Sequence, residues 1–566
     1  MGNRWIRPFL AITLLVVCFA NGVTASAQPQ KTPNIVLITL DTMRADRAGF
    51  LGGHAGLTPN LDRLAAASMV FGQAYAQTPL TISSTATLLT GTYPQTNRAS
   101  ALGVLLPRGV PYLPEQLHAH GYRTAAFIDS PELDPIHGPF QGYDQGFDSY
   151  STGLQSERGA AAQTDVRGVK VTVSRAANWL PKGAAQPFFL WVHLSPAPAS
   201  SPIGYDKGIA ATDQAVGQLI AALKLKGIYD DSVVVVASVH GESLGDHGEQ
   251  MSGMFLYDET IHVPLLLKLP GNGSSAARLV KGRVRLLDVS PTLLEIAGIA
   301  VPSAMQGQSL LRIAGLGSQV DLPAYARSQL PPEGFACSTI ESWRSGKYLY
   351  IHSARPELYD LSADPGADHN LAASAPAKIQ VLAAQLAAFD RRLAGNATSS
   401  EAGLTLSETQ KLASLGYVGL TSHTGTVAPK PTGIDPKDAI GAANKILLGL
   451  VALDEGKTEP AIEQFRAVLS QRQNVYLAQY GMGVALARQQ QYAQSVGFLR
   501  RAINLQPESA FAHYAMGMSL VKAGDLKTAA VHLEIAARLL PSFSGLHAQL
   551  AQVHQRLGMS KHSAQP

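Results

Sequence analysis

Short apolar runs rich in β-branched residues alternate, in the N-terminal part of the chain, with longer segments whose apolar positions recur at helical spacing. The runs are Asn34–Leu40 (NIVLITL), 124–129 (TAAFID), 188–194 (FFLWVHL), 232–238 (SVVVVAS) and 263–269 (VPLLLKL). Each is strand length and is predicted to form a strand buried on both faces. Between them, PNLDRLAAAS (59–68) and YDKGIAATDQAVGQLIAALKLKG (205–227) read as helices. This alternation predicts an α/β domain, a largely parallel sheet sandwiched by helices. Near Lys347 the pattern changes. KYLYIHSARPELYDLSADPGADHNLA predicts a short antiparallel meander, followed by a helix over about Ala375–Leu393. The α/β domain with this small antiparallel subdomain is expected to span 28–395.

Residues 396–437 read as a helix end followed by a linker. GLTSHTGTVAPKPTGIDPKD is rich in Gly, Thr and Pro and has no apolar period. Beyond it the chain repeats. Gly449, Gly483 and Gly517 are spaced by 34 residues, as are Ile446, Tyr480 and Tyr514, and Phe465, Leu499 and Leu533. A helix–turn–helix unit of that period is the tetratricopeptide (TPR) repeat. The glycine lets paired helices approach, and the large apolar residue fills the gap. Three repeats and a capping helix, FSGLHAQLAQVHQRLG, are expected over 438–560 as an all-α solenoid. Such arrays bind proteins or peptides. Residues on the first helix of each repeat, Asn444, Lys445, Tyr476, Gln479, His513 and Lys522, are the expected contacts. The linker is expected to let the array move, and a fragment starting near Asp435 to fold alone.

The N-terminus refines this picture. Arg4 and Arg7 precede an apolar run, Phe9–Ala20, and Ala25-Ser26-Ala27 offers a small-residue cleavage site. Residues 1–27 read as a secretory signal, implying a periplasmic or secreted protein with no stable membrane span after cleavage. The alternative is an uncleaved anchor. Cleavage would remove Cys18 and leave Cys337 alone, so neither a disulfide nor a cysteine metal cluster is expected, only a buried thiol. The 566 residues are 46% apolar with a formal net charge of +4. That suits a large folded chain, and no basic stripe with interleaved aromatics points to nucleic acid.

Two segments carry candidate chemistry. Asp41 directly follows the first strand, where a carboxylate either ligates a hard divalent cation or caps a helix. TPLTISSTATLLTGTYP (78–94) is a hydroxyl-rich turn entering a helix, whose N-terminus favours anions. A hydroxyl there is a nucleophile or a cap.

With these segments, TPNLDRLA, YDKGIAATDQAVGQLI, HGESLGDHGE, LYDETIHVPLLLKLPG, LLDVSPTLLEIAGIAVPSAMQGQSLL and RPELYDLSADPGADHNLA follow in order. Together they resemble the sulfatase family of the alkaline-phosphatase superfamily over about Pro33–Ala372. The ASLGYVG before the linker, and the appended repeats, resemble a bacterial subgroup. The resemblance implies hydrolysis of sulfate esters, or phosphate esters in relatives. The family uses a formylglycine nucleophile beside a divalent cation, Ca2+ or Mg2+, with basic side chains and histidines on the anion.

This chain departs from the family at most reactive positions. The nucleophile position is Thr81, which cannot become formylglycine, although related transferases use threonine there. Ser83 and Thr85 replace the family's proline and its arginine or histidine. Thr96-Asn97 stands for a His-Gly pair, Ser195-Pro196-Ala197 for Asp-Pro-His, and Ser252-Gly253 for a second His-Gly. The family's Asp-His metal pair reads Val239-His240. Asp246-His247 matches a further acidic-His element beyond that pair. Asp41, Thr42, Thr81 and His240 therefore remain as a vestigial metal shell. The expected protein is a sulfatase-like scaffold with lost or much reduced metal-dependent hydrolysis. The alternatives are a Thr81-dependent ester hydrolase or phosphoryl transferase, and a module that binds anions without turnover.

Overall fold

Every residue of the strands Asn34–Leu40, Phe188–Leu194 and Ser232–Ser238 is buried. Their alternate side chains enter two different cores. Ile35 and Leu37 pack on one side with Phe189, Trp191, Val233 and Val235. Val36, Ile38 and Leu40 pack on the other with Leu190, Val192, Val234 and Val236. Burial on both faces is why these strands read as continuous apolar runs. The computed structural model describes residues 32–558 except 54–55, 100–105, 108, 136–141, 153–166, 183–185, 196–201, 272–277, 317–321, 395–403, 416 and 418–432. The expected signal segment and most of the expected linker lie outside the described residues. No helix among the described residues is long and apolar enough to cross a membrane.

The strands in chain order are β1 (Asn34–Leu40), β2 (Met69–Phe71), β3 (Ala74–Tyr75), β4 (Arg123–Asp129), β5 (Ser149–Thr152), β6 (Phe188–Leu194), β7 (Ser232–Ser238), β8 (His262–Val263), β9 (Leu265–Lys268), β10 (Arg278–Val280), β11 (Val284–Arg285), β12 (Ala324–Ser328), β13 (Ile340–Ser345), β14 (Tyr348–His352) and β15 (Glu357–Asp360). Eight form one sheet in the order β10-β2-β9-β7-β1-β6-β4-β5. All neighbours run parallel except β9, which is antiparallel to both β2 and β7. Helices Arg167–Trp179 and Pro202–Leu225 cover one face; Thr81–Thr90 and Val289–Ile296 cover the other. A short sheet, β11-β3-β8, lies beside them, and β12 to β15 form an antiparallel meander followed by the helix Pro376–Ala394.

The C-terminal part is seven helices: Pro436–Asp454, Thr458–Leu469, Tyr476–Arg488, Tyr492–Leu505, Ala510–Ala523, Leu526–Leu539 and Ser544–Arg556. The repeated glycines meet the repeated large residues. A Cβ on Gly449 would lie 2.7 Å from the Phe465 ring, one on Gly483 2.6 Å from Leu499 Cγ, and one on Gly517 2.6 Å from Leu533 Cγ.

The structure differs from the sequence reading between the two parts. Ahead of the expected Gly/Pro/Thr linker, within 396–437, lies a helix, Leu406–Ser414. The array also does not hang free. Gly334, on the helix Leu330–Phe335, has no room for a Cβ because Leu477 Cδ1 would lie 2.6 Å away. Arg472 donates to the Phe335 carbonyl at 2.8 Å, and Gln506 Nε2 to that of Glu333 at 3.1 Å. Lys437 pairs with Glu357 at 2.5 Å, and Arg355 with Asp438 at 2.7 Å. Phe335, Cys337, Ala439, Val475 and Leu477 belong to one apolar core shared by both parts. The array is therefore packed on the α/β part, which corrects the expectation of a mobile array; a fragment beginning near Asp435 would expose part of that shared core.

Candidate functional site

Four parallel neighbours, β7, β1, β6 and β4, end in register: Leu40 lies opposite both Ser238 and Leu194, and Leu194 opposite Asp129. The residues just beyond them therefore share one edge, where ligands of open α/β sheets bind. There stand Asp41, Ser195 and Val239-His240, with the N-terminus of the helix Thr81–Thr90 facing them.

Asp41 is the centre. Its carboxylate accepts from Thr81 Oγ1 at 3.0 and 3.2 Å and from Ser195 Oγ at 3.0 Å, and His240 Nε2 stands 3.2 Å from Oδ1. His240 Nε2 is also 3.1 Å from Thr81 Oγ1, and its Nδ1 donates to the Gly241 carbonyl at 2.7 Å. Burial opposes charge at Asp41, but the hydrogen bond and positive charge of His240 outweigh it and hold the carboxyl down at about 2. Burial also opposes charge at His240; Asp41 outweighs it and raises the imidazole. The two shifts agree on an ion pair. The sequence-predicted Asp41, Thr81 and His240 are thus brought together, and the positive charge balancing Asp41 comes from the chain itself.

Thr42 is not part of this cluster by its carbonyl, which accepts from Tyr205 Oη at 2.6 Å. Its φ of 57° is a left-handed conformation unusual for a β-branched residue. Val239 is wholly buried; its N–H donates to the Leu40 carbonyl at 2.8 Å, and its own carbonyl accepts from Ser84 Oγ. Asp246 and His247 are engaged elsewhere. Asp246 pairs with Arg44 at 2.8 Å, while His247 stacks on Tyr257 at 3.7 Å and bonds the Gly366 carbonyl at 3.1 Å. Asn97 is a fastener: its Oδ1 accepts from the Ala99 N–H at 3.1 Å, and its Nδ2 reaches the Thr92 carbonyl at 3.2 Å. Pro196 and Ala197 lie outside the described residues.

A hard divalent cation takes six or more oxygen ligands, several of them carboxylates in tight sites. Among the described residues one carboxylate, Asp41, lies within the cluster, its oxygens engaged by Thr81, Ser195 and His240; Glu132 and Glu242 stand only within electrostatic reach of it, and Val239 brings no donor. Among the described residues, no group of three His, Cys, Asp or Glu side chains is placed to hold a metal. The donor set does not fit the cation that the resemblance implies.

Four polar groups of the cleft have surroundings that sequence reasoning missed. Ser195 was noted only as a lost aspartate, yet it bonds Asp41. His193 ends an apolar strand and is wholly buried. Trp191 Nε1 donates to Thr39 Oγ1 at 2.9 Å, and Thr39 Oγ1 stands 2.9 Å from His193 Nδ1. The threonine has one proton to give, so it donates it to Nδ1 and the imidazole carries its own proton on Nε2. Burial holds His193 neutral, its pKa lowered to about 4, and Nε2 has no hydrogen-bond partner among the described residues. Thr85 Oγ1 is likewise buried without one. Glu132 lies within electrostatic reach of Asp41 and His240, with its side chain open to solvent. The one sequence signal for these groups was a histidine closing an otherwise apolar strand.

Of the array residues expected to meet a partner, four are occupied within the chain. Asn444 bonds the Gly248 carbonyl at 2.8 Å and the Gln250 N–H at 3.1 Å. Tyr476 is buried with its hydroxyl on Ser509 Oγ at 2.6 Å. Gln479 is buried between the Gln473 carbonyl and Arg501. His513 is wholly buried. Only Lys445 and Lys522 are exposed. Helix spacing alone could not tell an open face from one closed by the rest of the chain. Cys337 is a free, buried thiol, raised by burial.

A doubly covered, largely parallel sheet with an Asp–Thr–His cluster at its carboxyl edge puts the candidate site where open α/β sheets bind ligands. The family model for sulfatases matches residues 33–196 and 199–299. The match lies on the α/β part of this chain, which has a sulfatase-like fold and is a sulfatase-like sulfuric ester hydrolase by family. The chain is 27% identical over 427 residues to an ulvan-active sulfatase of Formosa agariphila, covering 65% of this chain and 83% of that protein. It is 26% identical over 435 residues to arylsulfatase K of Bos taurus, covering 61% and 79%. Its fold resembles the phosphonate monoester hydrolase of Agrobacterium radiobacter with a TM-score of 0.54 at 20% identity, over 64% of this chain and 96% of that one.

Proposed function

We propose that this sulfatase-family domain has lost, or keeps only weakly, metal-dependent ester hydrolysis, and that the chain serves outside the cytoplasm as a scaffold whose TPR-type array binds protein. The observation that carries the reading is the state of the metal-side carboxylate. Asp41 is neutralised by His240 and hydrogen-bonded by Thr81 and Ser195, while the neighbouring strand end offers buried Val239. The missing arginine and histidines would each cost roughly 10²–10⁴ in rate, though such losses do not simply add.

Elemental analysis of the purified chain should find no tightly held calcium or magnesium, and heat stability should not respond to a chelator. Aryl sulfates, phosphate monoesters and phosphodiesters should be hydrolysed at background rate. One firmly bound divalent cation per chain would sink the reading.

A second reading rests on the 3.1 Å approach of Thr81 Oγ1 to His240 Nε2, the spacing of a hydroxyl nucleophile and its base. In this reading His240 first releases its Nε2 proton to solvent, then takes the Thr81 proton as Oγ1 bonds to the sulfur or phosphorus; the bond from that centre to the ester's alcohol oxygen breaks, and the imidazole returns the proton to the departing alcohol. The imidazole carries its remaining proton on Nδ1, held by the Gly241 carbonyl. Turnover abolished by Thr81→Ala would select this reading over the first.

A further inference from the structure

None of the cleft contacts involves the described residues of the ASLGYVG motif, and the helix that leads into it lies on the array. Leu406–Ser414 opens with a reciprocal capping box, Glu408 N–H to Thr405 Oγ1 at 3.2 Å and Thr405 N–H to Glu408 Oε2 at 2.8 Å. A helix this short is not stable alone in water; its partner is the array helix Leu526–Leu539. Glu408 pairs with Arg538 at 2.7 Å, Lys411 with Glu534 at 3.3 Å, and the Tyr417 hydroxyl with His532 Nε2 at 3.1 Å. The strap therefore runs antiparallel to that helix, acid on base and then base on acid. Leu412 and Tyr417 are buried, and Arg500, on the helix Tyr492–Leu505, stands 5.9 Å from the Tyr417 ring.

Below the tyrosine the array is built to receive a hydroxyl. His513 Nε2 is 2.9 Å from the Pro507 carbonyl and therefore carries the proton, leaving Nδ1 as an acceptor. His532 Nδ1 stands 2.9 Å from His513 Nδ1 and donates to it, which leaves His532 Nε2 to accept from Tyr417. Both imidazoles are wholly buried, and every proton in the relay has one place.

We propose that residues 404–417 are a built-in peptide ligand of the array. The groove across helices Tyr492–Leu505 and Leu526–Leu539 takes, from another protein, an amphipathic helix of the same pattern: a carboxylate, a lysine three residues on, a leucine four on and a tyrosine nine on. This is helix-in-groove recognition, read by apolar anchors and set in direction by charge. In the resting chain the strap holds the groove at high effective concentration and excludes such a partner. The inference rests on the array being a protein-binding element, and is independent of whether the cleft is active.

The test uses the full chain and a labelled synthetic peptide of residues 404–417. The unaltered chain should bind it poorly. Glu408→Arg in the chain should loosen the strap and raise peptide affinity at least tenfold, with circular dichroism and hydrogen exchange confirming a folded array. A peptide carrying Glu408→Arg should not bind that chain, but should bind one carrying Arg538→Glu. Equal binding of both peptides to every chain, or no binding to the strap-loosened chain, would overturn the proposal. Either result leaves the metal and turnover tests of the cleft untouched, so the two readings fail separately.

Discussion

In the array, Phe465, Leu499 and Leu533 each fill the space left by a glycine sixteen positions before, and no Cβ fits at Gly449, Gly483 or Gly517. At the carboxyl edge of the sheet the backbone is just as regular, with β7, β1, β6 and β4 ending in step. There, however, the side chains do not supply what coordination chemistry needs. Packing constrains volume at every interior position, so an error is felt wherever it falls. A reactive centre constrains a few donor atoms, and these can change while the strands that present them stay intact. Val239 shows the asymmetry. It removes a donor, yet its full burial adds apolar stabilisation of about 2 kcal/mol.

The contrast can be broken first in the array. The Phe465 ring is pressed by both Gly449 and Gly481. Phe465→Ala should cost about 3–5 kcal/mol in urea unfolding. A loss below 1 kcal/mol would mean that the helical pairs are not closely packed.

At the sheet edge, Val239→Asp buries a carboxylate beside Asp41 and should cost about 3 kcal/mol in the presence of chelator. Partial recovery of the melting temperature with millimolar calcium would show that the rest of the ligand shell is in place. Recovery as full as in an intact metalloenzyme would make Val239 the sole defect of the site.

A third difference is one of pH. Burial holds His513 neutral with its pKa lowered from 6.5 to about 4, and His532 well below its usual value. Arg500 and Arg538 oppose a further positive charge there, and Glu408 favours one at His513. The unfolded chain takes up these protons first, so stability is complete above about pH 6.5 and falls as pH drops toward 4. His513 alone accounts for about 2 kcal/mol by pH 5. Asp41, lowered to about 2, contributes stability that is lost only below its unfolded pKa of 3.8. The contribution of His193 on β6, also lowered to about 4, is lost over the same range as that of His513, so it is the second buried imidazole, His532, that should make the array open first, visible as early exchange of amides in Ala510–Leu539. Loss of sheet protection first would refute the ordering.

The smallest effect is expected for Ser195→Ala, which removes one of the hydrogen bonds to Asp41 and should cost about 1 kcal/mol, with no change in metal content.

The strands were legible because burial on both faces demands unbroken apolar runs, and the helical pairs because glycine and bulk recur at one period. Asp41, Thr81 and His240 were legible as a set only through the family resemblance; the local pattern by itself marked Asp41 as a strand-end carboxylate and a hydroxyl-rich turn at 78–94. The bond of Ser195 to Asp41 was not, since it depends on the register of β6 against β1. The protonation of His193 was not either, since it runs through Thr39 and Trp191 on two strands. The reading of Tyr476, Gln479 and His513 as partner contacts failed for a related reason: helical spacing says which residues share a face, but not what closes over it.

The sequence by itself determined the sheet, the 34-residue spacing of the helical pairs and the apolar residue Val239 at a strand end, because these depend on what a residue is and on its near neighbours. Only the tertiary structure decided that His240 supplies the counter-charge of Asp41, that the array is fused to the α/β part through Gly334 and Leu477, and that Tyr417 ends on a histidine relay. Each of these is a contact between side chains far apart in sequence. Such contacts are set by how whole layers pack, and no local periodicity records them.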